Sequence, residues 1–222
     1  MLHIRRTIPV FALAAALALP LRAQSLAALC RAALRVAPGQ WSSYRFIGGN
    51  TDGGTMRLAI VGSERVGDST FYWYEVKTVQ AGKTEEDANV VQVLVAGLGT
   101  PQLEIHDVVL KAPGHPAQRY NQMLVSMMAG PIAKSIASET GRRCANPQVQ
   151  VVGWESLTVP AGTLRALHLK DTESGGDAWF VPHVPFGVAR VLSKDGRDMV
   201  LTGSGHDAKS SIIETPAAGR SP

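Results

Sequence analysis

Apolar and polar residues alternate along most of this chain with the period of a strand. Met56, Leu58 and Ile60 are separated by Arg57 and Ala59, and Leu103 and Ile105 by Glu104. A period of two puts one set of side chains on each face of a pleated strand, so one face is apolar and the other wet, as in an antiparallel sheet. Such runs occur first at 41–46, 55–63, 71–79, 90–97 and 102–111, separated by GGNTDGG, RVGD, QAGKTEEDAN and GLGTP. These separators carry the Gly, Asn, Asp and Pro residues of hairpin turns. Further runs follow at 149–159, 163–170, 177–181, 187–193 and 198–203.

Two stretches change to a period of three to four. In 25–36, Leu26, Leu29, Cys30, Ala33 and Leu34 share a helical face, Ser25 can cap its start, and Pro38-Gly39 ends it. In 117–138 the recurring residues are Met123, Leu124, Met127, Met128, Ile132 and Ile136, and Pro131 inside the pattern should kink or split the helix. The order helix, hairpins, helix, hairpins predicts an α+β domain in which one curled antiparallel sheet, a half-open β-barrel, wraps around one or two helices. Strands do not alternate with helices, which argues against a doubly wound dinucleotide fold.

The ends of the chain bound this domain. Arg5 and Arg6 precede an apolar run over 8–21, and Ala23 closes it, which is the order of a cleavable export signal. The run falls short of the roughly 20 apolar residues that span a bilayer. The reading is therefore a signal peptide over 1–23, one domain over 24–207, and a polar tail over 208–222 expected to be disordered. Export places the mature protein in the periplasm or outside the cell. Cleavage also removes Arg5, Arg6 and Arg22, leaving 19 basic and 18 acidic residues. No basic footprint for nucleic acid remains.

Cys30 and Cys144 are the only cysteines. In an oxidising compartment they can form one disulfide, worth on the order of 4 kcal/mol for so long a loop; two separate buried thiols are the alternative. Motifs that would carry catalysis are incomplete. Gly82-Lys83-Thr84 has Lys77 where a phosphate loop needs its first glycine. Gly203-Ser204-Gly205 lacks the earlier glycine of a nucleophile elbow. The histidines past the signal, His106, His115, His168, His183 and His206, show no metal-ligand spacing, and no cofactor is implied.

The stretch TVPAGTLRALHL over 158–169, then Asp177-Ala-Trp179-Phe and VPHVPFGVARV over 181–191, resembles exported bacterial proteins of the LolA/LolB-like superfamily and related domains. There a VPAGTF hairpin precedes a strand with Trp and a VP-containing turn. Tyr72-Trp73-Tyr74-Glu75 through Val93-Leu94-Val95 fits the central hairpins, so the resemblance covers 40–205. It implies a half-open barrel around a helical plug, in some members with a cavity for acyl chains. It also implies an early-strand arginine that holds a lid, for which Arg45 and Arg57 are both candidates.

The expected function is an exported, non-catalytic binding or carrier-like domain. Its apolar interior would take a lipid or other apolar ligand, with Trp73, Met123, Met127, Met128 and Trp179 as the residues expected to line it. A structural or interaction protein with an envelope protein partner is the alternative. An enzyme whose site is assembled only in three dimensions is the third.

Overall fold

The computed structural model describes residues 35–98, 100, 103–140 and 148–218, and the side chains of all of these but 134, 135 and 137–140. Residues 1–34, on which the expected signal peptide and most of the expected first helix fall, and both cysteines lie outside them. Arg35 and Val36, the end of that expected helix, are not helical.

Strands β1 (Trp41–Ile47), β2 (Thr55–Val66), β3 (Ser69–Val79), β4 (Asn89–Ala96), β5 (Glu104–Lys111) and β6 (Gln118–Arg119) form a first antiparallel meander. One helix, α1 (Gln122–Thr140), separates it from a second meander of β7 (Val149–Val159), β8 (Gly162–Asp171), β9 (Asp177–Phe180), β10 (Val188–Leu192) and β11 (Asp198–Gly205). β11 then returns to pair with β1, which fuses the meanders into one sheet. A short β12 (Ala217–Ala218) lies parallel to β6. The 12-stranded order is β12-β6-β5-β4-β3-β2-β1-β11-β10-β9-β8-β7, an open sheet rather than a closed barrel.

Register shifts at Ser43/Tyr44, Ile60/Gly62, Leu94/Val95, Val151/Gly153 and Val188/Arg190 bend the strands. The curl brings the β7–β8 turn back over β11, where Ala161 N donates to Leu201 O at 3.2 Å. The main core joins the two meanders: Tyr44, Leu58, Ile60, Tyr74, Val93 and Val108 from the first cluster with Leu157, Ala166, Val200 and Leu201 from the second. From α1, Val125 and Ile136 enter it.

Two expectations are corrected. The helix starts at Gln122, because Asn121 caps it: its Oδ1 accepts from Leu124 N at 3.0 Å. Upstream, Gln118 and Arg119 pair with β5 instead. Pro131 lies inside the helix without splitting it. The second correction concerns the tail: 208–218 is an ordered strap across the convex face, not a disordered segment. It passes β1, where Ala208 N donates to Gly39 O at 2.7 Å, and ends on β6. Gly39 is required at this crossing, since a Cβ there would come within 2.4 Å of His206 O. Ile212 of the strap fills a second apolar cluster with Ala88, Val90, Val109 and Ala117.

Candidate functional site

Alternation directs the even-numbered residues of β1, and those of β2 up to the register shift at Ile60/Gly62, to the concave side. Tyr44, Phe46, Met56 and Leu58 thereby face Met199 of β11 and Phe186 of the loop before β10 across an apolar cleft of about 340 Å³. That volume lies at the small end of ligand pockets. The walls come from both meanders, so the cleft exists only because β11 returns to β1.

The loop over 181–187 fills the hollow next to the cleft. Val181, Val184 and Phe186 are all buried in the core. Gly187 N donates to Val184 O at 2.9 Å, closing a turn with Pro185 and Phe186 at its centre. Phe186 sits at φ +64°. Left-handed backbone costs an L-residue about 1–2 kcal/mol, so surrounding bonds must hold it. They do: Val181 N donates to Gly187 O at 2.7 Å, Ser42 Oγ to Pro185 O at 2.7 Å, and Tyr44 Oη to Val188 O at 3.2 Å.

Charge at the cleft's rim is paired. Arg190 holds Asp198 through Nε, at 3.1 and 3.0 Å, and Nη2, at 2.7 Å. Arg197 Nε donates to Asp195 Oδ2 at 2.8 Å. Partial desolvation raises the Asp195 pKa, but the backbone and guanidinium hydrogen bonds from Arg197, with its charge, outweigh it and hold the carboxyl below its ordinary range. A neighbouring cavity of about 690 Å³ shares Val191, Ser193 and Arg197 with the cleft and is rimmed by Asp171, Asp177 and Lys194.

One cluster meets the geometric idea of an enzyme site assembled from distant strands. His168 Nε2 lies 2.8 Å from Asp177 Oδ1, and Nδ1 lies 3.7 Å from Glu155 Oε1. The ring stacks on Trp179 at 4.6 Å and 13°, the Arg190 guanidinium lies over the indole at 5.0 Å, and Trp179 Nε1 donates to Glu155. Each member is thus engaged by another, which ties β7, β8, β9 and β10 together. Among the described residues, no three His, Cys, Asp or Glu side chains are grouped to hold a metal ion.

The residues that the sequence suggested as a ligand lining are dispersed. Trp179 belongs to the core, inside the His168 cluster. Trp73 is on the convex face, where its Nε1 donates to Glu64 at 2.7 Å and Arg119 covers its ring. Met123 and Met127 are 59% and 71% exposed on α1, and Met128 is half-buried. Arg45 is exposed, and Arg57 lies over Trp41 and pairs with Glu75, so neither arginine borders the cleft. Sequence reasoning missed Tyr44, Phe46, Met56, Leu58, Phe186 and Met199 as a group. The strand alternation could place most of them on one face; nothing local gives the curl that brings β11 to β1.

No family model matches the chain, and no curated protein matches it. Two solved structures are similar to it: one described as a "putative lipoprotein" from Parabacteroides distasonis, and one as a "putative exported protein with YmcC-like fold" from Bacteroides fragilis. Each has a TM-score of 0.35 over 76% of this chain and 96% of its own, at 10% and 9% identity. At these values the likeness bears on neither the fold nor the function of this chain.

Proposed function

We propose that this chain is an exported, non-catalytic binding domain of carrier type whose concave cleft takes the alkyl part of an uncharged apolar ligand. The observation that carries this reading is the cleft walled by Tyr44, Phe46, Met56, Leu58, Phe186 and Met199. Burial of alkyl groups against such walls is favourable by about 0.8 kcal/mol per methylene. Of the charged residues described at the cleft, Arg197 is bonded to Asp195 and Asp198 to Arg190, so neither is left as a lone charge beside an apolar ligand. Export rests on the charged, apolar and small segments of residues 1–23, and a Cys30–Cys144 disulfide belongs to the same reading.

Mass spectrometry of protein recovered from the envelope fraction tests all three parts. The expected mass begins at Gln24 and lacks one pair of hydrogens, and under native conditions a neutral lipid-like adduct stays bound in stoichiometric amount. Recovery without any apolar adduct, together with failure of the purified protein to bind the neutral probe N-phenyl-1-naphthylamine, overturns the carrier reading.

An envelope interaction protein is the second reading, and β7 favours it. This strand ends the sheet, exposes Val151, Val152 and Trp154, and has no charged residue from 148 to 154. Uncharged apolar edges are where further strands add. A photo-crosslinker at position 152 that captures an envelope protein, in a chain without adduct, would select this reading.

A further inference from the structure

Phe186 occupies a position where the local chemistry asks for glycine. In the turn Val184-Pro185-Phe186-Gly187, proline sets the second position, and the third adopts φ +64°. Turns with a left-handed third residue take Gly or Asn there, since a β-carbon is strained. Phe186 is the only non-glycine residue with positive φ among the described residues. Anchoring the loop does not explain the choice, because Val181 and Val184 already enter the core at 0% and 4% exposure.

The position of the ring does explain it. On one side it meets Tyr74 edge-on, at 5.8 Å between centroids and 65°, deep in the core. It also forms part of the wall of the apolar cleft. The ring is therefore the partition between the cleft and the core.

We infer that Phe186 sets the depth of the cleft, and with it the longest alkyl chain that the protein takes. This inference rests on the cleft being the ligand site. Glycine at 186 would suit the backbone and open the partition towards Tyr74. A larger ring would shorten the cleft.

The test uses n-alkanols of increasing length, which are uncharged, displacing N-phenyl-1-naphthylamine from the full mature chain. For the unsubstituted protein, affinity should rise about fourfold per methylene and then stop rising at a limiting length. Phe186→Gly should move that limit to longer alkanols, and Phe186→Trp to shorter ones. Equal limits in all three proteins overturn the inference and leave the carrier reading standing. Absence of probe and alkanol binding in the unsubstituted protein overturns the carrier reading itself. If Phe186→Gly does not fold, the Trp variant decides: a shortened limit supports the partition, and an unchanged one overturns it.

Discussion

Met127 and Ile136 share one helix and differ in what they touch. Ile136 is 5% exposed within the concave core, whereas Met127 projects from α1 with 71% of its surface exposed. Truncating a buried isoleucine removes its transfer energy and leaves a cavity, so Ile136→Ala should cost about 2–5 kcal/mol. Met127→Ala should stay within about 0.5 kcal/mol, as surface changes do. Urea titration of both variants checks the pair, and similar losses in the two would refute the placement of the helix face. On this helix the apolar repeat is legible in the sequence but its phase is not. Met123 and Met127 are as apolar as Val125 and Ile136, so hydrophobicity alone cannot tell which stripe the sheet covers. The deciding contacts come from β5, where His106 O accepts from Gln122 Nε2 at 3.1 Å and orients the first turn.

The strap shows the same limit for a whole element. The hairpins linking β1 to β5 and β7 to β11 were readable, since period-2 runs and Gly-rich separators are local, and the two-residue turn with Gly67 at φ +58° is one case; the β5–β6 pairing was not, because 118–119 fell in the expected helix. Residues 208–218 carry no such period, because they meet the sheet mainly through single side-chain bonds and pair as a strand only at Ala217–Ala218. Ser211 N and Oγ donate to Glu75 at 2.9 and 2.7 Å, and Gln92 Nε2 donates to both Glu75, at 2.8 Å, and Ser210 Oγ, at 2.7 Å. Glu75, 1% exposed in mid-strand, was the available signal: a carboxylate there needs a cover that supplies donors. Further along, Lys111 Nζ bonds Glu214 at 2.7 Å, and Ala117 N donates to the same carboxylate at 3.2 Å. These contacts, that of Lys111 foremost, lower the Glu214 pKa from 4.5 to about 2. A depressed carboxyl pKa stabilises the docked strap above the ordinary value, and that stabilisation is lost as pH falls through the folded value. Amide exchange should therefore show protection of Ala117 N–H, relative to core amides, declining below about pH 4.5 towards the Glu214→Gln level near pH 2. Protection unchanged across that range, or equal in the Gln variant throughout, would contradict the latch.

At the scale of the molecule, the seam between β1 and β11 joins architecture to the proposed activity. Either meander alone would leave its concave face open to water; paired, they bury Tyr44, Leu58, Val200 and Leu201 in one core and enclose the cleft. The residue between β11 and the strap reinforces the junction, since Trp41 Nε1 on β1 donates to Asp207 at 2.6 Å. A ligand in the cleft touches Met56 and Leu58 of one meander and Val188 and Met199 of the other, so its binding energy should act on both. Binding only to the folded state adds RT ln(1 + [L]/Kd), or about 2.7 kcal/mol at a hundredfold excess over Kd. With N-phenyl-1-naphthylamine at that excess, amide exchange in β3 and in β8 should slow by the same factor, on the order of a hundredfold. Those strands lie in different meanders and none of their residues lines the cleft's wall, so local shielding by the probe cannot produce a matched change. Slowing confined to one meander would mean that the halves open independently and that the seam does not couple them. Equal slowing would show that the cleft is bound as part of one cooperative sheet.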